Sequence, residues 1–109
     1  MITQDDIDAM CAHTLNALAR EVHGQNVRVG WWDKWSDDKH GRFDTAMMLV
    51  ASELAEAMEG DRKDLMDTHL PHHKMFDVEL ADTAIRLLDL AGAYDVDLSN
   101  IERDAVSIA

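Results

Sequence analysis

Two long stretches of the chain, residues 43–60 and 72–93, carry apolar side chains every three or four residues. At 100° per residue, five of those in the first stretch fall on one side of a helix: Met47, Val50, Ala51, Leu54 and Met58. In the second stretch the apolar residues fill an arc of roughly 200°. A chain of 109 residues with one proline and five glycines leaves little room for a turn-rich β fold. The sequence therefore predicts an all-α fold, a helical bundle of about four helices in one domain spanning residues 1–109.

The N-terminal segment predicts the first of these helices, over residues 3–23. Thr3 followed by Asp6 is typical of a capping box, and Gly24 is a plausible C-terminal stop. Residues 24–42 show no sustained period and are predicted to form a long connection.

The remaining helix boundaries come from shorter signals. The second helix is predicted to end near Gly60 or to continue toward Asp67, and Pro71 is able to open the third helix. Ser99 followed by Glu102 indicates a second capping box and a short fourth helix near the C-terminus.

The charge of the chain is strongly acidic, with 22 acidic and 10 basic residues and a net charge of −12. Binding to a nucleic acid polymer is not expected, because phosphate contacts need clustered Lys and Arg. Cys11 is the one cysteine, so an intramolecular disulfide is impossible. The N-terminus lacks a signal-peptide pattern, and the sequence has no apolar run of membrane-spanning length. We expect a soluble, cytoplasmic protein that does not act at a membrane.

Two pairs of acidic residues stand at helical spacing on the second and third helices. Glu53 and Glu56 form Glu-x-x-Glu, and Glu79 and Asp82 form Glu-x-x-Asp after 22 intervening residues. Residues three apart share a helix face, so an antiparallel hairpin of the two helices would bring all four carboxylates together. Four clustered negative charges need cations, and oxygen ligands suit Mg²⁺ or Mn²⁺.

The alternative is that these acids form an ordinary solvated face. Two features argue against it. Glu53 and Glu56 have no basic residue at i+4. The polar strip of the third helix is also narrow, which predicts that its members face an internal cleft: Glu79, Asp82, Arg86 and Asp89.

This arrangement of motifs resembles the MazG-like all-α nucleoside triphosphate pyrophosphohydrolases, with the resemblance covering about residues 43–98. It implies Mg²⁺-dependent hydrolysis of NTPs or dNTPs to the monophosphate and pyrophosphate, by a homodimer or a dimer of dimers. It also implies that the magnesium ligands are Glu53, Glu56, Glu79 and Asp82. Glu53 or Glu56 would in addition orient or deprotonate the attacking water, as a catalytic residue.

Candidate substrate contacts lie near these motifs. Several members of the family carry base-stacking aromatic residues where this chain has Trp31, Trp32 and Trp35, and we single out Trp32 and Trp35; the alternative is that they cap the core or an interface. Lys39 is a candidate phosphate contact. Arg86, one turn beyond Asp82, is either a second phosphate contact or an i,i+4 ion-pair partner of Asp82.

A second function fits the same sequence. A non-catalytic helical dimerisation module would explain the wide apolar arc of the third helix and would treat the acids as solubilising. The three histidines of residues 69–73 lack further ligands at zinc spacing and are interpreted as hairpin residues. The sequence leaves the base and sugar preference open.

Overall fold

The computed structural model describes residues 1–33 and 39–108 and consists of four α-helices. They are α1 (Gln4–Arg28), α2 (Lys39–Lys63), α3 (Met75–Ala93) and α4 (Leu98–Ile108). The central helix is α3, which packs against both α2 and α1, and α4 packs against α1. The described part of the chain has no β-strand beyond one isolated bridge, between Met66 and Lys74. The predicted all-α bundle of four helices is confirmed.

The start of α1 is the predicted capping box. The Thr3 hydroxyl accepts a hydrogen bond from the Asp6 N–H at 3.1 Å, and the Asp6 carboxylate accepts one from the Thr3 N–H at 2.9 Å. The predicted stop at Gly24 is wrong, since α1 continues to Arg28. The glycine that ends the helix is Gly30, whose φ of 83° lies in the left-handed region that other residues avoid.

The predicted connection over residues 24–42 is therefore much shorter at both ends. Residues 24–28 belong to α1 and residues 39–42 to α2. A tight turn follows α1, in which the N–H of Trp31 donates to the carbonyl of Asn26 at 3.0 Å. The rest of the predicted connection, residues 34–38, lies outside the described residues.

The loop between α2 and α3 is held by its own hydrogen bonds, and α3 therefore starts later than residue 72, where the sequence predicted it. Asp67 is buried and accepts hydrogen bonds from the N–H groups of His69 and Leu70 at 2.9 and 2.7 Å. The isolated bridge then holds Lys74 extended, so α3 begins at Met75 and Pro71 does not open it.

The prediction of a helix at the C-terminus is confirmed, although Ser99 is not its cap. The carboxylate of Asp97 accepts the N–H of Asn100 at 3.3 Å instead. Ser99 is 2 % exposed, and it exchanges two 3.2 Å hydrogen bonds with Asn16 of α1. These bonds tie α4 to α1.

Two carboxylates of α3 are buried, while many large apolar side chains of α2 and α3 are exposed. On α3 the polar residues Glu79 and Asp89 are buried, which confirms that the polar strip faces inward. Several large apolar residues of α2 and α3 are 40–59 % exposed: Met47, Leu54, Met58, Leu80, Ile85 and Leu87. The total accessible surface is 7908 Å², against about 6,100 Å² for a folded monomer of this mass.

Among the described residues, none of the helices combines the length and apolar character that crossing a bilayer requires.

Candidate functional site

Three of the four predicted ligands meet between α2 and α3. One carboxylate oxygen each of Glu53, Glu56 and Glu79 lies within 4.8 Å of the other two. The i,i+3 spacing turns the two α2 glutamates toward α3, where Glu79 is 8 % exposed. Glu53 is half-buried and Glu56 is exposed, so the group opens to solvent on one side. We call these three residues the glutamate cluster.

Within the cluster, the pKa values of Glu79 and Glu53 are shifted in opposite directions. A hydrogen bond with Glu53 together with burial and the negative charges of Glu53 and Glu56 raises the pKa of Glu79 to about 8. The pKa of Glu53 is lowered, first by the hydrogen bond with Glu79 and further by Arg86, against the effect of burial. Near neutral pH the metal-free cluster therefore holds one proton between Glu79 and an ionised Glu53.

The residues of the cluster fit a divalent cation. Oε2 of Glu79 is buried and has no hydrogen-bond partner among the described residues. Buried polar atoms are nearly always partnered; in the metal-free cluster the proton that Glu79 shares with Glu53 meets this need, and a bound cation would take its place. Three carboxylates with no nitrogen or sulfur donor suit a hard ion such as Mg²⁺ or Mn²⁺. The assignment of these residues as metal ligands stays a prediction.

Asp82, the fourth predicted ligand, is not part of the close group. It lies one turn beyond Glu79 on α3 and is half-buried. Burial, followed by the charge of Glu53, raises its pKa, and Arg86 acts in the opposite direction. Asp82 lines a cleft of about 250 Å³ next to the cluster, with Asn26, Trp31, Ile85 and Arg86.

Arg86 connects this cleft to the cluster. Its Nε donates to Oε1 of Glu53 at 2.9 Å, and the Glu53 side chain is 13 % exposed. The predicted i,i+4 ion pair with Asp82 is not formed, and Arg86 pairs with Glu53 on α2 instead. The guanidinium carbon lies 5.5 Å from the centroid of the Trp31 ring, within the range of a cation–π contact. Phosphate binding by Arg86 stays a prediction.

Of the two described tryptophans, Trp31 is the one that lines the cleft. The predicted substrate contact Trp32 is only 8 % exposed, and its Nε1 donates to both carboxylate oxygens of Asp89 at 3.0 and 3.2 Å. The cleft is therefore lined by Trp31, whereas the buried Trp32 packs against the Trp31 ring. Trp35 and the side chain of Lys39, the other predicted contacts, lie outside the described residues.

Two residues near the site had no functional assignment from the sequence. Asn26 lines the cleft, but the sequence placed it in a connection and so gave it no helix face. Asp89 belongs to the polar strip that the sequence identified, three residues beyond Arg86. Its partner Asn26 could be placed on α1 only once that helix was known to extend past Gly24.

Comparison of this chain with family models, with curated protein sequences and with solved structures gave no match.

Proposed function

We propose that this protein hydrolyses nucleoside triphosphates, or their deoxy forms, to the monophosphate and pyrophosphate with the help of Mg²⁺. The observation that carries the proposal is the group of three converging carboxylates, in which the buried Oε2 of Glu79 accepts no hydrogen bond from an N–H or alcohol O–H of the described residues. The neighbouring cleft adds an aromatic ring and a guanidinium, from Trp31 and Arg86. Its volume of about 250 Å³ accommodates part of a nucleotide, such as the base.

The glutamate cluster would hold the cation, with Asp82 close by on the same helix. A bound Mg²⁺ would neutralise phosphate charge and lower the pKa of water. The net charge of −12 repels a polyanionic substrate, and such a cation would offset that repulsion. Mn²⁺ has similar ligand preferences and is a possible substitute.

The carboxylates Glu53 and Glu56 would act on the attacking water. Arg86 and Glu79 keep Glu53 ionised, which leaves it able to accept a proton. Glu56 is exposed at the open side of the cluster, where water enters. As the water oxygen bonds to phosphorus, the anhydride P–O bond breaks, pyrophosphate departs and the water proton passes to a carboxylate.

The partner of this chain would be a second copy of itself. The exposed apolar side chains of α2 and α3 surround a groove of about 560 Å³, which includes Leu54, Met58 and Phe76. The surface in excess of a compact monomer is about 1,800 Å² per chain, which is the scale of an obligate interface. We therefore expect a homodimer or a dimer of dimers.

The test is pyrophosphate release from a panel of NTPs and dNTPs with and without Mg²⁺, using wild-type protein and Glu56→Gln. Glu56 is the best position because it is exposed, so the variant keeps the fold. We expect release that requires Mg²⁺ and falls at least about a hundredfold in Glu56→Gln. The matched control is Glu59→Gln, one turn along α2, where the carboxylate pairs with Lys63 at 2.6 Å outside the cluster.

Two results would contradict the proposal. Equal loss of pyrophosphate release in Glu56→Gln and Glu59→Gln would show that the glutamate cluster takes no part in the reaction. Absence of pyrophosphate release across the panel, with no stabilisation by Mg²⁺ in thermal unfolding, would favour the non-catalytic dimerisation module, which the exposed apolar face also supports.

A further inference from the structure

A second buried carboxylate of α3, Asp89, lies two helical turns beyond Asp82. It is 2 % exposed. Oδ1 lies 2.8 Å from Nδ1 of His23, and Oδ2 accepts from Nδ2 of Asn26 at 2.9 Å. Both oxygens also receive the Trp32 Nε1–H described above. Since an ionised carboxylate only accepts, Nδ1 of His23 carries the shared proton. We call Asp89, His23, Asn26 and Trp32 the Asp89 hub.

The hub contains a charge where an apolar side chain would pack with less difficulty. Burying a carboxylate loses hydration worth several kcal/mol, and a leucine at this position would avoid that loss. The carboxylate instead fixes the local geometry, because its two oxygens hold three hydrogen-bond donors in one arrangement. All three donors come from α1 and from the turn that follows it. The hub therefore sets the geometry of this turn relative to α3.

The geometry set by the hub extends to the proposed active site. The Trp32 ring makes edge contacts with His23, at 5.2 Å between centroids, and with Trp31, at 5.4 Å. Trp31 in turn lies beside Arg86, which bonds to Glu53. Two residues held in this way, Asn26 and Trp31, line the cleft itself.

We propose that Asp89 is a positioning residue, which holds Trp31 and Asn26 in place as a preformed wall of the nucleotide-binding cleft. This rests on the proposed function. Ordering a mobile side chain on binding disfavours association, so breaking the hub would weaken nucleotide binding by about tenfold. Asp89 is not a member of the glutamate cluster, so cation binding and the hydrolytic step should change little.

The experiment compares wild type with Asp89→Asn and Trp32→Phe. Asp89→Asn places an amide N–H against the donors of the hub, and Trp32→Phe removes the indole N–H. The control is Asn16→Ala, which removes hydrogen bonds of an α1 asparagine to Asp97 and Ser99 of the α4 region. Each protein is assayed for kcat and KM, for binding of a nonhydrolysable α,β-imido nucleotide by calorimetry, and for Mn²⁺ affinity by electron paramagnetic resonance.

We expect both hub variants to raise KM and the dissociation constant of the analogue about tenfold, with kcat and Mn²⁺ affinity within about threefold of wild type. Asn16→Ala should leave all four quantities near their wild-type values. A merely structural role would lower kcat and Mn²⁺ affinity together with nucleotide binding. That pattern, or hub variants no different from Asn16→Ala, would overturn the proposal.

Failure of the proposed function is seen separately, in the wild-type protein. If wild type neither binds the analogue nor releases pyrophosphate, near-ultraviolet circular dichroism tests whether Asp89 positions the tryptophans. The fixed, nearly perpendicular Trp31–Trp32 pair (77°) gives a strong signal there. Loss of this signal in Asp89→Asn but not in Asn16→Ala would support the positioning role, and its retention in Asp89→Asn would overturn it.

Discussion

The buried oxygen of Glu79 makes the stability of the metal-free protein depend on pH. The folded-state pKa of about 8 lies above the ordinary value of 4.5, so between these values the folded chain binds more protons than the unfolded chain. Stability is then greatest at the acidic end of this window and is lost as the pH rises to 8. The expected loss from pH 5 to pH 8 is on the order of 3 kcal/mol, measured by thermal or urea unfolding in the presence of a chelator.

Variants measured in the same way identify Glu79 as the source of this pH dependence. Glu79→Gln should flatten the stability profile between pH 5 and pH 8, whereas Glu59→Gln, on the outer part of α2, should keep the slope. Added Mg²⁺ should stabilise wild type most at pH 8, where the cluster is ionised. A wild-type profile that rises with pH over this range would show that the carboxylates do not share a proton.

The sequence could identify some residues of the site but not others. Glu53, Glu56 and Glu79 came from i,i+3 spacing, because helix geometry alone decides which side chains share a face. The choice between Trp31 and Trp32 could not be made in this way. Adjacent residues in a tight turn have no periodicity, and the buried partner Asp89 decides which of the two rings turns inward.

At the scale of helices, α1 and α3 approach each other closely at Gly92. A Cβ at Gly92 would lie 2.6 Å from both the Ala19 carbonyl oxygen and His23 Cβ. Because the oxygen belongs to the backbone of α1, the helices would have to separate. We expect Gly92→Ala to destabilise the fold by about 2 kcal/mol or more, measured by urea unfolding.

Gly24 offers the matched control for this substitution. It lies within α1, and its added Cβ would meet nothing nearer than the Arg28 side chain, at 3.4 Å. Alanine is favoured over glycine inside a helix, so Gly24→Ala should stabilise by about 0.5–1 kcal/mol. Equal effects of the two substitutions would mean that the α1–α3 contact is not as close as described.

The helices themselves were predictable, while their ends were less so. Apolar periodicity identified the cores of α2 and α3, and the Thr3–Asp6 box fixed the start of α1. The end of α1 was missed because Gly24 and Gly30 look alike in sequence. Only the backbone conformation distinguishes a helical glycine from the left-handed one that stops the helix.

At the scale of the whole molecule, two carboxylates of α3 are buried between the helices while many large apolar side chains are exposed. Glu79 and Asp89 are buried, while Leu54 and Met58 are 53 % and 59 % exposed. The radius of gyration is 16.4 Å, compared with about 13 Å for a compact chain of this length. Sequence periodicity could locate the apolar faces, but it could not tell whether this chain or a second copy covers them.

Charged substitutions on the apolar face test the expected self-association. Leu54→Asp and Met58→Asp place a carboxylate at the proposed interface, yet both positions are exposed in the single chain, so its own core is undisturbed. Light scattering should give a dimer or larger assembly for wild type and a monomer near 12.3 kDa for the variants. Val106→Asp, at a 66 % exposed apolar position on α4, should keep the wild-type mass. A monomeric wild type, or variants that keep its mass, would show that something other than a second copy covers this face.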